Sequence, residues 1–546
     1  MALADGLRTA LDGRWREVRE RSRTDLARAD LLPDPTLDLP AQRERTRKLM
    51  QTLVATGYPR AGFRKEHGGS GDIGGSVTGF EMLACTDLSL MVRAGVQWGL
   101  FGGAIENLGT GRHHEKYIEP LINLDLIGCF AMTETGHGSN VQQLETTATY
   151  DSDTQEFVIH TPTPSARKDY IGGAATDATV AAVFAQLTTP DGEGHGVHCF
   201  VVPLRDDHGD DLPGVTTSDC GPKGGLDGVD NGRIVFDHVR VPREALLNEY
   251  ADVAPDGTYT SSIENPNRRF FTMLGTLIRG RVSVAGAGGA AARVALSIAV
   301  RYALQRRQFE APGEEREVLV MDYLVHQRRL LPLVARSYAL QFAQNALVAR
   351  MHEIQTQDRP DSRDQRRLES RAAGIKATAT WHATRTIQEC REACGGAGYM
   401  AENRLTTLRA DTDVFTTFEG DNHVLNQLVA KELLTSYADE VGGLDPLGMV
   451  RFAAATVADT VKERTAAAPL IQRLIDARGS DDEDAGLLER GTQLRLFEER
   501  EQHLLETAAR RLRRARKDGT DSSGPDAFEV FNDAQDHIVH AARAHT

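Results

Sequence analysis

The stretch VFTTFEGDN at residues 414–422 organises the rest of the chain. Its β-branched and aromatic side chains lead into Glu419, the only glutamate between Glu402 and Glu432. Apolar neighbours such as Phe418 lower the local dielectric constant, which raises the pKa of a carboxyl group towards neutrality. A glutamate of that kind suits general-base catalysis at physiological pH. The simpler interpretation is a loop or strand-like segment that ends at an ordinary helix N-terminus.

The residues after Glu419 predict a close approach followed by a helix. Gly420 has no Cβ, so a backbone or a ligand can come near it. Asp421 and Asn422 are typical helix N-caps, and the apolar residues that follow, as far as Leu433, predict the helix itself.

The composition is that of a globular protein with several domains. The 546 residues exceed what one hydrophobic core supports and predict three to four domains. The net charge of −15, from 63 basic and 78 acidic side chains, argues against general affinity for nucleic acid or anionic membranes. A local basic pocket for a phosphorylated ligand remains compatible with that charge. No apolar run approaches the roughly 18 residues of a membrane span, so none is predicted.

The cysteines and the chain ends predict a compartment. The six cysteines are scattered without CxxC spacing, which favours reduced thiols, and no metal site is predicted. Residues 1–22 lack the apolar region of a secretory signal and are too acidic for a transit peptide. The C-terminal Arg-Ala-His-Thr is not a Ser-Lys-Leu peroxisomal address. The sequence therefore predicts a cytoplasmic location.

The periodicity of apolar residues divides the chain into four predicted domains. Residues 1–128 and 246–437 have the three-to-four-residue spacing of amphipathic helices, as do parts of 438–546. Residues 129–245 instead carry short β-rich runs between Asp, Gly and Pro turns, which fits an antiparallel barrel or sandwich. The predicted strands are Thr146–Tyr150, Phe157–Ile159, Thr179–Gln186, Val197–Val202 and Gly232–Phe236. The fold class is therefore α+β and multidomain, with helices on both sides of a central β-domain.

Several motifs occur in a characteristic order along the chain. They are FAMTETGHGSN at 130–140, LETTATY at 144–150, GVDNGR at 228–233, FDHVRVP at 236–242, CGGAGY at 394–399 and FEGDN at 418–422. Together they resemble the acyl-CoA oxidase and acyl-CoA dehydrogenase superfamily of flavoproteins. The Thr-Glu-x-Gly-His-Gly form and the Phe-Glu-Gly-Asp-Asn segment resemble its oxidase branch.

The resemblance implies a central β-barrel, bound FAD and an acyl-CoA thioester substrate. It implies that Glu419 takes the α-proton, and that the flavin accepts hydride from the β-carbon, because no side chain can do so. Charge that develops on the thioester oxygen needs fixed hydrogen-bond donors. In the family these are a flavin ribityl hydroxyl and the backbone N–H of the catalytic glutamate, here Glu419.

The resemblance also implies contacts to FAD. Thr133 matches a donor to the flavin ring, and Gly172 matches the glycine where the backbone approaches that ring. Arg307 resembles an arginine that meets the FAD diphosphate from a neighbouring subunit, which implies at least a homodimer. Taken alone, these residues also fit a turn, a hairpin and an ordinary surface arginine. Further implied cofactor contacts are Gln327, Gly395, Gly396, Asp421 and Asn422, and implied substrate contacts are Asn231 and Arg233.

The sequence departs from the oxidase pattern at two places. Oxidases of this type usually have two tryptophans after the lysine that corresponds to Lys168, whereas this chain has Asp169 and Tyr170. A carboxylate is therefore expected near the wall that faces the flavin. The region 438–546 resembles the extra C-terminal helical domain of the oxidases, but it is shorter.

The motifs favour an FAD-dependent acyl-CoA oxidase of fatty-acid β-oxidation, which forms trans-2-enoyl-CoA and reduces O2 to H2O2. An acyl-CoA dehydrogenase that passes electrons to an electron-transfer flavoprotein is the alternative. A catalytically silent acyl-CoA-binding protein is disfavoured, because Glu419, Thr133 and Gly172 are all present.

Overall fold

Helices form the N-terminal part of the chain, where apolar residues recur every three to four positions. They are α1 Ala2–Asp12, α2 Arg16–Asp25, α3 Leu39–Ala55, α4 Ile73–Leu83, α5 Leu88–Ala94, α6 Gly102–Leu108 and α7 Gly111–Asn123. Asp38, Asp72 and Asp87 cap the N-termini of α3, α4 and α5 through their carboxylates. A π-helical segment, Gly95–Phe101, joins α5 to α6 into one continuous rod.

The structure is a computed structural model that describes residues 2–275, 278–313, 315–357, 361–442, 490–517 and 527–546. Residues 1–421 form one compact unit and residues 422–546 form a second. The division into four domains remains a prediction, and residues 443–489 and 518–526 of the predicted last domain lie outside the described residues.

Strands follow in the central region. They are β1 Gly128–Ala131, β2 Thr147–Asp151, β3 Glu156–His160, β4 Lys168–Gly172, β5 Val180–Thr188, β6 Gly194–Pro203, β7 Val215–Asp219, β8 Asn231–Phe236, β9 Val239–Pro242, β10 Ala251–Val253 and β11 Tyr259–Ser261. A six-stranded sheet has the order β1-β5-β2-β3-β9, with β6 on the other edge of β5, and β4-β8-β7 form a second sheet. Side chains of both sheets, including Phe157, Phe200 and Phe236, pack into one core.

The predicted antiparallel barrel is only partly correct. Among the described strands the larger sheet curls into a half-barrel without closing, and β1 and β2 both pair with β5 in parallel. The reason lies in β5, whose residues Val180–Ala185 are all buried, because one face packs on the second sheet and the other on helices. Strands that are buried on both faces commonly have parallel neighbours.

The rest of the first unit is mainly helical. It contains α8 Pro266–Gly275, α9 Ile278–Ala303, the hairpin strands β12 Arg307–Glu310 and β13 Glu317–Leu319, α10 Leu324–Gln355, α11 Ser362–Ala393, α12 Gly395–Tyr399 and α13 Leu405–Asp413. The Cβ position of Gly288 on α9 lies 3.5 Å from the side chain of Thr380 on α11, so the two helices are in van der Waals contact there. The segment Pro266–Ala303 is long and apolar enough to cross a membrane, but 67% of its most apolar window is buried inside the protein.

The second unit contains α14 Asn422–Gly442, α15 Arg490–Lys517 and α16 Ala527–His545. The ring of His545 lies 2.7 Å from the carboxylate of Glu501, which joins α16 to α15. The helix predicted after Asp421 is present as α14 and begins at Asn422.

Candidate active site

Glu419 lies in a strained loop between α13 and the end of the first unit. The run before it is a short 3-10 helix, Val414–Thr416, rather than a strand-like segment. Glu419 has a φ of 56° and Gly420 a φ of 99°. A glutamate in the left-handed region is uncommon and usually persists where the surroundings fix a functional side chain. The rings of Phe415 and Phe418 stack at 5.1 Å beside it.

The carboxylate of Glu419 rests against the backbone of α9. A Cβ at Gly280 would lie 2.5 Å from Oε2 of Glu419, closer than any carbon can approach. The glycine therefore makes room for the carboxylate, and α9 fixes one side of its position.

Two cations, Lys376 and Arg281, lie near the Glu419 loop. The buried Lys376 of α11 donates from Nζ to the carbonyl oxygen of Gly420 at 2.6 Å. Burial raises the pKa of Glu419, and the positive charges of Arg281 and Lys376 partly oppose that rise. Burial also lowers the pKa of Lys376 to about 8. The site thus combines a basic carboxylate with a fixed backbone.

A partly open cavity of about 140 Å³ lies beside the carboxylate. Most of its walls are apolar and come from α4, the α5–α6 rod and α9, with Glu419 and Gly280 among them. The apolar lining includes Phe63, Phe80, Met91, Val96, Leu100, Val284 and Phe418. Such a cavity can hold an apolar chain and exclude water from the carboxylate.

Thr133 and Gly172 lie on adjacent segments of the β-domain. The N–H of Asp169 donates to the carbonyl oxygen of Thr133 at 3.1 Å, three residues before Gly172. A Cβ at Gly172 would lie 3.2 Å from Cγ2 of Val96, a cavity residue. The glycine thus brings the β-domain backbone close to the α5–α6 rod. The ring of Tyr170 is 63% exposed on this same strand.

Behind this surface is a fully buried ion pair. Nζ of Lys168 lies 3.0 Å from Oε1 of Glu134 and also donates to the carbonyl oxygens of Met132 and Phe184. Both side chains are 0% exposed. The pair joins the residue after Thr133 to the first residue of β4, so it sets the relative position of the two segments.

Asp169 supplies the carboxylate that the sequence predicts near the wall that faces the flavin, and its position relative to a flavin stays a prediction. It is buried, and it pairs with Arg167 at 3.0 Å and Arg233 at 3.2 Å. Burial alone would raise the pKa of Asp169, but hydrogen bonds from Thr135, the Tyr170 N–H and Arg167 lower it. The carboxylate is therefore ionised and neutralised by its neighbours.

The two predicted substrate contacts are engaged within the protein. The side chain of Asn231 donates to the Tyr170 carbonyl oxygen at 2.9 Å and accepts from Lys223 at 2.8 Å. Arg233 is held by Asp169 and by the carbonyl oxygen of Asp219. Their role towards a substrate remains a prediction.

A second group of predicted cofactor residues lies at one end of the long helices. Arg307 donates to the carbonyl oxygen of Glu317 within the β12–β13 hairpin, and Gln327 donates to that of Met321. Gly395 and Gly396 follow directly after α11, whose last turn is tied to α10 by the ion pair of Arg329 with Glu392. Gly396 faces open space. Their predicted contacts with a cofactor stay predictions.

Asp421 and Asn422 mark the boundary between the two units. Asp421 ends the first unit, and Asn422, which is buried, begins α14. The carbonyl oxygen of Asn422 accepts from the side chain of Asn426 at 2.7 Å, as in a helix start. Their predicted contact with a cofactor is not tested by this arrangement.

Sequence reasoning missed Gly280, Arg281, Lys376 and the Glu134–Lys168 pair. Lys376 could have been noticed in the sequence, because it is a lone cation among the Ala, Gly and Thr residues of its helix face. Gly280 gave none, since a close approach between distant segments leaves no mark on the sequence around it.

Two segments of the chain match known domain families. Residues 274–434 match the acyl-CoA oxidase C-alpha1 domain, and residues 129–239 match the acyl-CoA dehydrogenase middle domain. The crystal structure of acyl-CoA oxidase 3 from Yarrowia lipolytica is 32% identical with a TM-score of 0.78, over 97% of this chain and 73% of that one. The chain belongs to the acyl-CoA oxidase family.

Other family members extend the comparison. The peroxisomal acyl-coenzyme A oxidase 3 of Arabidopsis thaliana is 45% identical over 405 residues, which are 74% of this chain and 59% of that protein. The chain therefore spans between half and about three-fifths of the curated relatives it matches. Acyl-CoA oxidase 2 of Caenorhabditis elegans, solved with FAD, ascaroside-CoA and ATP, is 25% identical with a TM-score of 0.78, over 97% of this chain and 74% of that one.

The predicted cytoplasmic location is wrong. The Arabidopsis relative is named a peroxisomal enzyme, as are two further relatives from the same plant and one from Homo sapiens. Composition and the absence of one short signal could not decide the compartment, because such addresses are read by receptors and not by the fold.

Proposed function

We propose that this chain is an FAD-dependent acyl-CoA oxidase of fatty-acid β-oxidation. It desaturates acyl-CoA to trans-2-enoyl-CoA, and O2 accepts the electrons and forms H2O2. The observation that carries the proposal is the Glu419 carboxylate, which has a raised pKa and lies in the wall of a mainly apolar cavity. An acyl chain in that cavity presents its α-carbon to a base whose position is fixed by α9 and α11.

The protein's own groups would act on the substrate as follows. Glu419 accepts the α-proton at its carboxylate, and Gly280 leaves the space that this carboxylate occupies. The backbone N–H of Glu419 donates to the thioester oxygen, where negative charge develops as the proton leaves. Lys376 holds the loop through the Gly420 carbonyl oxygen, so that base and donor keep one geometry.

The β-domain surface fits a flavin. Gly172 has no side chain of its own on the strand that exposes the Tyr170 ring, and Thr133 lies on the neighbouring segment. We infer that Thr133 and Gly172 hold the ring system of FAD, in keeping with the FAD of the Caenorhabditis elegans relative. FAD, when bound, accepts two electrons and the β-hydrogen of the substrate.

We infer that the active form is a homodimer. Helix α10 exposes a row of apolar side chains that no described part of this chain covers: Leu324, Val325, Leu331, Tyr338 and Phe342. Three of them are seven residues apart and share one helix face, as in helix–helix interfaces. Arg307, Gln327, Gly395 and Gly396 lie near the start of α10, where they could reach the FAD of a second copy. Sedimentation that gives only the monomer mass at micromolar protein would contradict this assembly.

The fall of kcat/KM at low pH should reflect protonation of the Glu419 carboxylate. The base must be ionised, so kcat/KM is expected to fall as the pH drops through the raised pKa, by about tenfold per pH unit below it. Lys376→Met removes a positive charge that favours the ionised form, which moves this limb to higher pH. The measurement is kcat/KM against pH for both proteins, and a limb that stays in place or moves to lower pH would contradict the assignment.

Adding one methyl group at Gly280 should displace the base. Gly280→Ala places a carbon 2.5 Å from the Glu419 carboxylate, so the side chain must move, and kcat is expected to fall about 10²-fold. Gly289→Ala on the same helix is the control, because its new Cβ meets only the end of the Arg293 side chain. Equal rates for the two variants would show that α9 does not fix Glu419.

The test of the proposed function is O2 consumption by the purified protein with saturated acyl-CoA thioesters of several lengths. An oxidase yields one H2O2 and one trans-2-enoyl-CoA for each O2 consumed. Turnover that occurs only with an artificial electron acceptor would indicate a dehydrogenase instead. A protein that binds flavin but turns over with neither acceptor would refute both.

A further inference from the structure

The two halves of the candidate active site belong to different parts of the first unit. Glu419 follows α13, whereas Gly172, which is proposed to hold the flavin ring, ends β4 of the β-domain. Transfer of a proton to one half and of hydride to the other requires that both keep one fixed geometry. Residues 220–230, which we call the β7–β8 loop, lie between the two halves and contact both.

A carboxylate on α13 holds the β7–β8 loop. Oδ1 of Asp411 accepts from the backbone N–H of Leu226 at 2.7 Å, and both residues are buried. The helix backbone also meets the loop directly, since a Cβ at Gly225 would lie 2.4 Å from the carbonyl oxygen of Ala410. Leu226 has a φ of 53°, a conformation that a leucine keeps only where its surroundings fix it.

A lysine within the loop completes this hold. Nζ of Lys223 donates to the carbonyl oxygens of Leu226 at 2.7 Å and Val229 at 2.6 Å, and to Oδ1 of Asn231 at 2.8 Å. An ammonium group has three N–H donors, so these contacts use all of them. Leu226 is therefore held at its N–H by Asp411 and at its carbonyl oxygen by Lys223.

The loop in turn meets β4 at two points. The side chain of Asn231 donates to the carbonyl oxygen of Tyr170 at 2.9 Å, and Tyr170 is itself strained, with a φ of 65°. The Cβ position of Gly172 lies 3.5 Å from Cγ1 of Val229, so the end of the loop packs beside that glycine. Contacts thus run continuously from α13 through the loop to the strand proposed to hold the flavin.

The path from Asp411 to the base is short. Asp411 lies eight residues before Glu419. The N–H groups of Thr417 and Phe418 both donate to the carbonyl oxygen of Val414, at 2.9 and 3.0 Å, which closes the turn between α13 and the base. A displacement of α13 is therefore passed on to Glu419.

We infer that Asp411 and Lys223 are positioning residues that hold the base and the flavin-facing strand in one geometry, an inference that rests on the proposed function. Neither side chain is among the described residues that line the cavity, so both act through the loop. Breaking this link should slow proton and hydride transfer, because both depend on the alignment of the two halves, and leave the affinity for acyl-CoA nearly unchanged.

Asparagine is the conservative replacement for Asp411. Burial raises the pKa of this carboxyl group to about 7, so its neutral form is well populated near neutral pH. The amide oxygen of asparagine can accept from the Leu226 N–H as that neutral form does. Alanine at the same position removes the acceptor and leaves a buried N–H without its partner.

The test measures the rate constant at which flavin absorbance is lost on anaerobic mixing with saturating acyl-CoA, expressed per bound flavin. We expect a fall of about 10- to 100-fold for Asp411→Ala, with KM changed by less than about threefold. Asp411→Asn should come within about threefold of the wild type. Asp413→Ala alters an exposed carboxylate at the end of the same helix and should match the wild type.

Lys223 provides a second variant at the other end of the link. Lys223→Met removes the three hydrogen bonds and should lower the same rate constant about 10-fold. It keeps the inference open to contradiction where Asp411→Ala does not fold.

Urea unfolding of each variant measures stability separately from the rate constant. A lower unfolding midpoint with an unchanged rate constant per bound flavin would show a purely structural role and overturn the inference. No recovery of the rate constant in Asp411→Asn would overturn it as well. Wild-type protein whose flavin is reduced by no acyl-CoA would instead count against the proposed function.

Discussion

Replacing Glu419 by glutamine is expected to lower kcat by about 10²- to 10⁴-fold, because the amide cannot accept the α-proton. The substitution keeps the shape of the side chain beside Gly280 and removes only its basicity. Bound flavin should be unchanged, since the residues proposed to hold its ring system are in the β-domain. The measurement is steady-state turnover together with the flavin absorbance of the purified variant.

Glu402→Gln is the matched control for this change. Glu402 is exposed in a 3-10 helix shortly before α13, and it is not part of the cavity lining. Its variant should turn over like the wild type. Residual activity of Glu419→Gln close to that of the control would mean that another group takes the proton.

Replacing Lys168 by methionine is expected to lower the free energy of unfolding by about 3–5 kcal/mol, because it leaves Glu134 buried without its countercharge. The change also removes the donors to the carbonyl oxygens of Met132 and Phe184. The measurements are the midpoint of urea unfolding and the urea concentration at which flavin is released. Loss of flavin at lower urea is expected, since the pair positions Thr133 relative to β4.

Two controls test whether the loss of stability comes from the unpaired buried charge of Glu134. Lys116→Met alters an exposed lysine on α7 and should leave the midpoint within the error of the wild type. The double variant Glu134→Gln/Lys168→Met removes both charges and should recover part of the loss. A single variant as stable as the Lys116 control would show that the buried pair contributes little.

The sequence predicted helices on both sides of a β-rich region and five of its strands, while the role of Glu419 stays a prediction. Apolar periodicity located β2, β3, β5, β6 and β8, because their side chains alternate or form short β-branched runs between turns. The segment around Glu419 was recognisable because its residue types fit one chemistry. The motifs around Thr133 and Gly172 likewise point to segments that the fold brings next to each other.

What the sequence could not provide are the contacts between distant segments. The parallel pairing of β1 and β2 with β5 depends on burial of both faces of β5, which a run of apolar residues does not distinguish from a buried helix. The pairing of Asp169 with Arg233 could not be read from the sequence, because Arg233 lies on a strand 64 residues further along the chain. The hydrogen bond from Arg279 to the Gly62 carbonyl oxygen likewise joins segments more than 200 positions apart.

The measurement that tests the central claim most directly is anaerobic mixing of the purified protein with an acyl-CoA. A parallel experiment uses the same acyl-CoA with deuterium at both α-positions. The account predicts loss of flavin absorbance on mixing, a slower loss with the deuterated thioester, and rapid recovery in air with stoichiometric H2O2. The Glu419→Gln variant should lose flavin absorbance about 10²- to 10⁴-fold more slowly than the wild type. Loss of absorbance at the wild-type rate in that variant, or none with any acyl-CoA in the wild type, would contradict the account.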